Sequence, residues 1–249
     1  MGVKAVNRPT LRNPPIREAL IDIQFAASLD LSKVAVAADK FSGQYPKRQT
    51  LRHGVFEFSM DRGSDMKAKT RESAIIGYRL DSEDGSRVVQ VRAGGITFSV
   101  LRGYSTWDAF KQEARSLWEE WNLIVGETST SRVATRFINV LQLPASPIDF
   151  DDFLTCAPKI PSELPQIMSG FFQQVTIPVV ESEFTAIVTH ALEPVTPSAT
   201  PVVLDIDIFQ AKHYSSTDEG VWAALDTARE IKNRVFFSSL TSKGLELFR

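Results

Sequence analysis

The chain has 249 residues, of which 43% are hydrophobic and 23% charged, the usage of an ordinary globular protein, so disorder is excluded over most of the length. Its 28 Lys and Arg against 30 Asp and Glu leave a net charge of −2, which argues against general binding to nucleic-acid phosphates. No apolar run approaches the ~20 residues needed to span a bilayer.

The first element follows Pro14-Pro15. Ala19, Ile21, Ile23 and Phe25 alternate with Glu18, Asp22 and Gln24, and a period of two predicts a half-buried strand. Asp30 then precedes Leu31, Val34, Ala38 and Phe41 at helical spacing, and Tyr45-Pro46 ends that pattern. Four strand-like runs follow, at 56–60, 76–80, 87–92 and 96–100, joined by turn signals at Ser82-Glu83-Asp84-Gly85 and Gly94-Gly95. Ser105 and Asp108 form a candidate capping box for a helix with Trp107, Phe110, Ala114, Leu117 and Trp121 on one stripe, read as core.

The second half follows the same plan. A long strand covers 132–143, with Val133, Phe137 and Leu141 opposite Arg132 and Arg136. Asp149 opens a brief helical signal at Phe150, Phe153 and Leu154. Strands at 171–180, 184–190 and 202–210 come next. Ser216 and Glu219 read as a second capping box before Val221, Leu225, Ala228, Ile231 and Val235, the closing helical stripe. The loops at 61–70, 155–166 and 191–200 are polar or Pro-rich, the composition of mobile segments.

This order predicts an α+β fold in a single domain over 1–249. Two pseudo-repeated halves, about 11–124 and 128–249, each run strand, helix, antiparallel meander, long helix. They are expected to form a curved antiparallel sheet or open barrel with helices on one face.

Three fragments carry a resemblance: Leu11-Arg12-Asn13-Pro14-Pro15-Ile16-Arg17-Glu18-Ala19, Arg136-Phe137-Ile138-Asn139 and Phe237-Ser238-Ser239-Leu240-Thr241. In their order and end-to-end spacing they resemble a sporadically distributed family of prokaryotic proteins of similar length, to which no activity is assigned. The resemblance implies no catalytic residues. Its patchy occurrence implies horizontally exchanged genes and so a mobile-element, defence or toxin-neutralising context, by association rather than by mechanism.

Five residues stand out as binding candidates. Phe137 and Asn139 share one strand face, where a buried Asn must be hydrogen-bonded and can pin a neighbouring loop. Arg132 and Arg136 share the other. Asp205 and Asp207 sit two apart on one strand face, as Glu18 and Asp22 do in the first half, and paired carboxylates on a sheet can hold magnesium. The Glu-x-Glu-x-Lys signature of triphosphate tunnel enzymes is absent, as are Gly-x-Gly-x-x-Gly, P-loop and Gly-x-Ser-x-Gly sequences. His53, His190 and His213 are widely separated, and all three are read as structural. Cys156 has no second Cys to pair with and is read as a small buried hydrophobe.

No catalytic residue, metal ligand or cofactor is therefore assigned. The expectation is a non-enzymatic protein that binds or neutralises another protein, with a homo-oligomer as one form of that partnership. Two other readings stand beside it: a magnesium-dependent nucleotide- or phosphate-handling enzyme using the acidic and arginine positions, and nucleic-acid binding through a local patch at Lys67, Lys69 and Arg71. With no hydrophobic signal core at Met1–Val6 and one cysteine, which suits a reducing compartment, a cytoplasmic location without membrane association is expected.

Overall fold

The computed structural model describes residues 11–53, 56–59, 67–70, 74–145 and 147–249. The fold is α+β: among these residues are four α-helices, a nine-stranded antiparallel sheet that does not close, and a separate two-stranded hairpin. The residues group into two compact units, each discontinuous in sequence. The amino-terminal unit holds Ile21–Arg132 and Lys212–Asp218; the carboxy-terminal unit holds Val133–Ala211 and Glu219–Arg249 with the chain up to Leu20.

In the amino-terminal unit the strand order is β2 (Lys47–His53), β5 (Ala74–Asp81), β6 (Arg87–Arg92), β7 (Gly95–Val100) and the Ile21–Phe25 part of β1 (Ile16–Phe25). The alternation seen in sequence sets the inward face of β1, burying Ile21, Ile23 and Phe25. Helix α1 (Leu31–Phe41) starts where Asp30 Oδ1 accepts the Ser32 N–H at 2.8 Å, a cap that contributes about 1 kcal/mol. It buries Val34, Ala37, Ala38 and Phe41 and packs on β5, β6 and helix α2 (Trp107–Val125). The aromatic stripe of α2 is core: Trp121 stacks on Phe25 with ring centroids 5.7 Å apart, and Phe110 lies 5.4 Å from Phe98. Its N-cap is Thr106, whose hydroxyl accepts the Ala109 N–H at 3.2 Å, one residue beyond the expected Ser105.

Two strands lacked a sequence signal. β2 reads Lys-Arg-Gln-Thr-Leu-Arg-His and is almost wholly exposed, so no alternation marks it. β4 (Lys67–Thr70) pairs antiparallel with β3 (Phe56–Ser59) inside the 61–70 stretch expected as a loop. Residues 61–66, Met60 and Arg71 lie outside the described residues.

In the carboxy-terminal unit the order is β8 (Thr130–Leu143), β11 (Thr200–Gln210), β10 (Phe184–Leu192) and β9 (Phe172–Val179). Helix α3 (Gly220–Ser239) packs on β11 and β10 and buries Ala228 together with Val221, Leu225 and Ile231, the last three being worth roughly 1.5–3 kcal/mol each. The second capping box does not form. Glu219 caps α3 without a side-chain hydrogen bond, and the Ser216 hydroxyl instead accepts the Thr128 N–H at 3.1 Å in the amino-terminal unit.

The fragments that carried the resemblance all reach into this unit. Arg12 and Asn13 donate backbone N–H groups to the Phe248 carbonyl, and Val140 N–H bonds Pro15 O at 2.8 Å. The closing run is tied to the residues just after the 3-10 turn Phe150–Asp152 by Thr155 N–H to Ser239 O and Thr241 N–H to Phe153 O, both 3.0 Å. Thr241 then caps the short helix α4 (Ser242–Glu246).

Candidate functional site

Strand register explains what becomes of the polar candidates. Asp207 lies opposite Arg136 and Asp205 opposite Ile138 on the paired strands β11 and β8. The Arg136 side chain reaches diagonally, donating Nε–H to Asp205 Oδ1 at 2.8 Å and Nη2–H to Oδ2, a two-pronged grip that occupies both carboxylate oxygens. The hydrogen bond to Asp205 raises the Arg136 pKa above its ordinary value; burial opposes it, and the charges of Asp205, Asp207 and Glu18 assist. This cluster is a half-buried ion-pair network.

Arg132 joins a different cluster, in the amino-terminal unit. Asp22, 7% exposed, accepts Arg132 Nη1–H at 3.0 Å and Gln24 Nε2–H at 3.0 Å on one oxygen, and Arg92 Nη2–H and the Thr97 hydroxyl, each at 2.6 Å, on the other. A carboxylate with four donors is fully satisfied and has no oxygen turned toward a ligand.

Asn139 is 2% exposed and donates Nδ2–H to Leu204 O at 3.0 Å and Phe137 O at 3.3 Å. It pins strand backbone rather than the loop expected for it. Lys232 of α3 stands 4.0 Å over the Phe137 ring. Among the described residues no group of three or more His, Cys, Asp or Glu comes together in a way that could hold a metal ion.

The feature that sequence reasoning missed is at the far side of the carboxy-terminal unit. β9 is an edge strand without a single charged residue, and Phe172, Val175 and Ile177 on it are 71%, 43% and 43% exposed. The strand period puts Gln173, Val175, Ile177 and Val179 on one face and Phe172, Gln174 and Thr176 on the other. On the first face, Ile177 stands opposite Ala186, Val175 opposite Val188 and Gln173 opposite His190 of β10. Together with Ile231 and Val235 of α3 these residues line a cavity of about 510 Å³. Val235, expected in the closing core stripe, is only half-buried because it forms this wall.

His190 also lines the cavity. It is 5% exposed, its Nε2 has no hydrogen-bond partner among the described residues, and burial lowers its pKa. Cys156, expected to be buried, is exposed at the rim, where its sulfur accepts the Gln173 Nε2–H at 3.5 Å. A hydrophobic run read only as a strand could have flagged the site, because β9 has apolar side chains on both of its faces. The sequence matches no protein-family model and no curated protein.

Proposed function

We propose that this is a non-enzymatic protein that binds another protein by accepting an extended segment of it along β9. One contrast carries the reading. A sheet edge offers unpaired N–H and C=O groups to any passing strand, and proteins that gain nothing from this blunt their edges with charge or bulges. β2 is blunted in both ways: it carries Lys47, Arg48 and Arg52, and its register shifts between Leu51 and Arg52. β9 carries no charge, exposes large apolar side chains and borders an apolar cavity, which is the architecture of strand-addition recognition. Pro178 lacks an N–H, so added pairing extends over residues 172–177.

A neutralising role in a defence or toxin–antitoxin-like locus accords with this mode, since covering a partner's segment needs no chemistry. A second copy of the chain is one form such a partner takes. The pseudo-repeat belongs to the same proposal. Each unit begins with a long strand that lies beside its last strand, and a long helix follows, α2 in one and α3 in the other.

The test adds charge to the edge without touching the cavity. Tagged wild type and the Phe172→Lys and Thr176→Lys variants are compared by quantitative co-purification, with light scattering for self-association. The expected result is at least one protein, or the second copy, retained by wild type and reduced about tenfold in both variants at unchanged melting temperature, the factor for ~1.4 kcal/mol. Identical capture profiles and identical mass in solution would overturn the proposal.

A further inference from the structure

We infer that the partner accepted along β9 is a second copy of this chain, its own β9 pairing antiparallel about a two-fold axis at Gln174. The inference rests on the strand-addition reading and names its occupant. Register shows which backbone groups of β9 are on offer. Leu192 donates its N–H to the Phe171 carbonyl at 3.0 Å, one step beyond the paired Ala191 and Phe172, while Glu193 donates to Pro201 O on the side of β11. Backbone bonds alternate sides along an antiparallel strand, so Gln173, Val175 and Ile177 turn their N–H and C=O toward β10. Those of Phe172, Gln174 and Thr176 therefore point away from the sheet. Pro178 falls in the same outward series, the place on an edge strand where a missing N–H breaks no ladder bond.

With the axis at Gln174, that residue meets its own copy, and Phe172 meets Thr176 of the second copy. Each outward N–H then finds an outward C=O. Moving the axis to Val175 sets the Phe172 carbonyl against Pro178, which has nothing to donate, and moving it to Gln173 sets Thr176 against Gly170, outside the strand. Charge favours the same occupant. A two-fold interface sets a surface against itself, and like charges facing one another across strands destabilise the pair. β2, with Lys47, Arg48 and Arg52 and no acidic residue, would repel a second β2. From Leu164 to Val180 the chain carries no charged residue of either sign, so nothing there repels a second copy or selects a foreign partner by charge. Leu164, Ile167, Phe172, Val175, Ile177 and Val180, half of the large apolar side chains exposed among the described residues, fall in this one stretch. The axis at Gln174 brings Ile177 beside Phe171 of the second copy, so the stretch covers its own apolar surface.

The experiment is sedimentation equilibrium of the full chain, with melting temperatures measured alongside. Wild type should form a dimer with a dissociation constant in the micromolar range. Phe172→Lys and Thr176→Glu, both at exposed positions, should each weaken it about tenfold at unchanged melting temperature, since a two-fold interface counts each substitution twice. The double variant Phe172→Lys/Thr176→Glu sets the new ammonium of one copy against the new carboxylate of the other, twice over. It should dimerise more tightly than Phe172→Lys alone, a rescue that only this register supplies. A wild type that stays monomeric up to its solubility limit, a dimer indifferent to both single substitutions, or a double variant no tighter than Phe172→Lys would each overturn the inference. A monomeric wild type whose capture of another protein is lost in Phe172→Lys overturns the second copy alone and leaves strand addition standing.

Discussion

At the scale of single residues, burial and pairing separate side chains that look equivalent in the sequence. Asp205, Asp22 and Asp84 are all acidic residues near a turn or strand with polar neighbours. Asp205 is gripped by Arg136 and Asp22 by two arginines. Asp84 accepts from Ser82 and Ser86 within its own turn, bonds that hold its carboxyl below the usual range. Asn139 could be read from sequence as a buried, hydrogen-bonded side chain, because its position in the alternation puts it beside Phe137; its cross-strand acceptor could not, because Leu204 is 65 residues away. His190 was unremarkable in sequence for the same reason. Its pKa is lowered by burial from an ordinary 6.5, so below that value the unfolded chain takes up a proton that the folded chain refuses. Its contribution to stability is therefore fully present above pH 6.5 and declines as pH falls from there, levelling once the folded ring protonates too. Glu181, Arg234 and Cys156 share the cavity lining. Urea midpoints at pH 7.5 and 5.5 should show a smaller acid loss in His190→Phe than in wild type, the carboxylates being common to both proteins.

At the scale of elements, periodicity succeeded wherever one face is buried. It located β1, α1, α2, β8 and α3 to within a few residues, because their apolar positions recur at two or at three to four. It failed for β2, an exposed strand with no buried face to leave a pattern. After β1 the chain supplies α1, which packs on β5 and β6; after β8 it supplies the three-residue turn Phe150–Asp152, and α3 packs on β10 and β11. The closing segment is held by close approach: a Cβ on Gly244 would stand 2.4 Å from the Phe153 carbonyl oxygen. Gly244→Ala improves helix propensity at one position yet should destabilise the protein by about 1–3 kcal/mol, because α4 must move off the Phe153 backbone. A lowered urea midpoint with unchanged slope is the expected reading, and an unchanged or raised midpoint would refute the account.

At the scale of the whole molecule, the choice between binder and enzyme turns on where charge is left unsatisfied. A magnesium–nucleotide site needs carboxylate oxygens that converge on an open space. Both oxygens of Asp205 are taken by Arg136, and Arg132 serves Asp22 in the other unit. Calorimetric titration with magnesium and a nucleoside triphosphate is accordingly expected to give no saturable heat that Asp207→Asn removes; such a heat would restore the phosphate-enzyme reading. By itself the sequence determined the α+β class, most of the strands and helices, and the side of each that turns inward, since these follow from local periodicity. Tertiary structure alone decided which charges neutralise one another, which sheet edge is left open, and that a cavity opens beside that edge. Those outcomes depend on strand register between segments tens of residues apart, a geometry that no local pattern encodes.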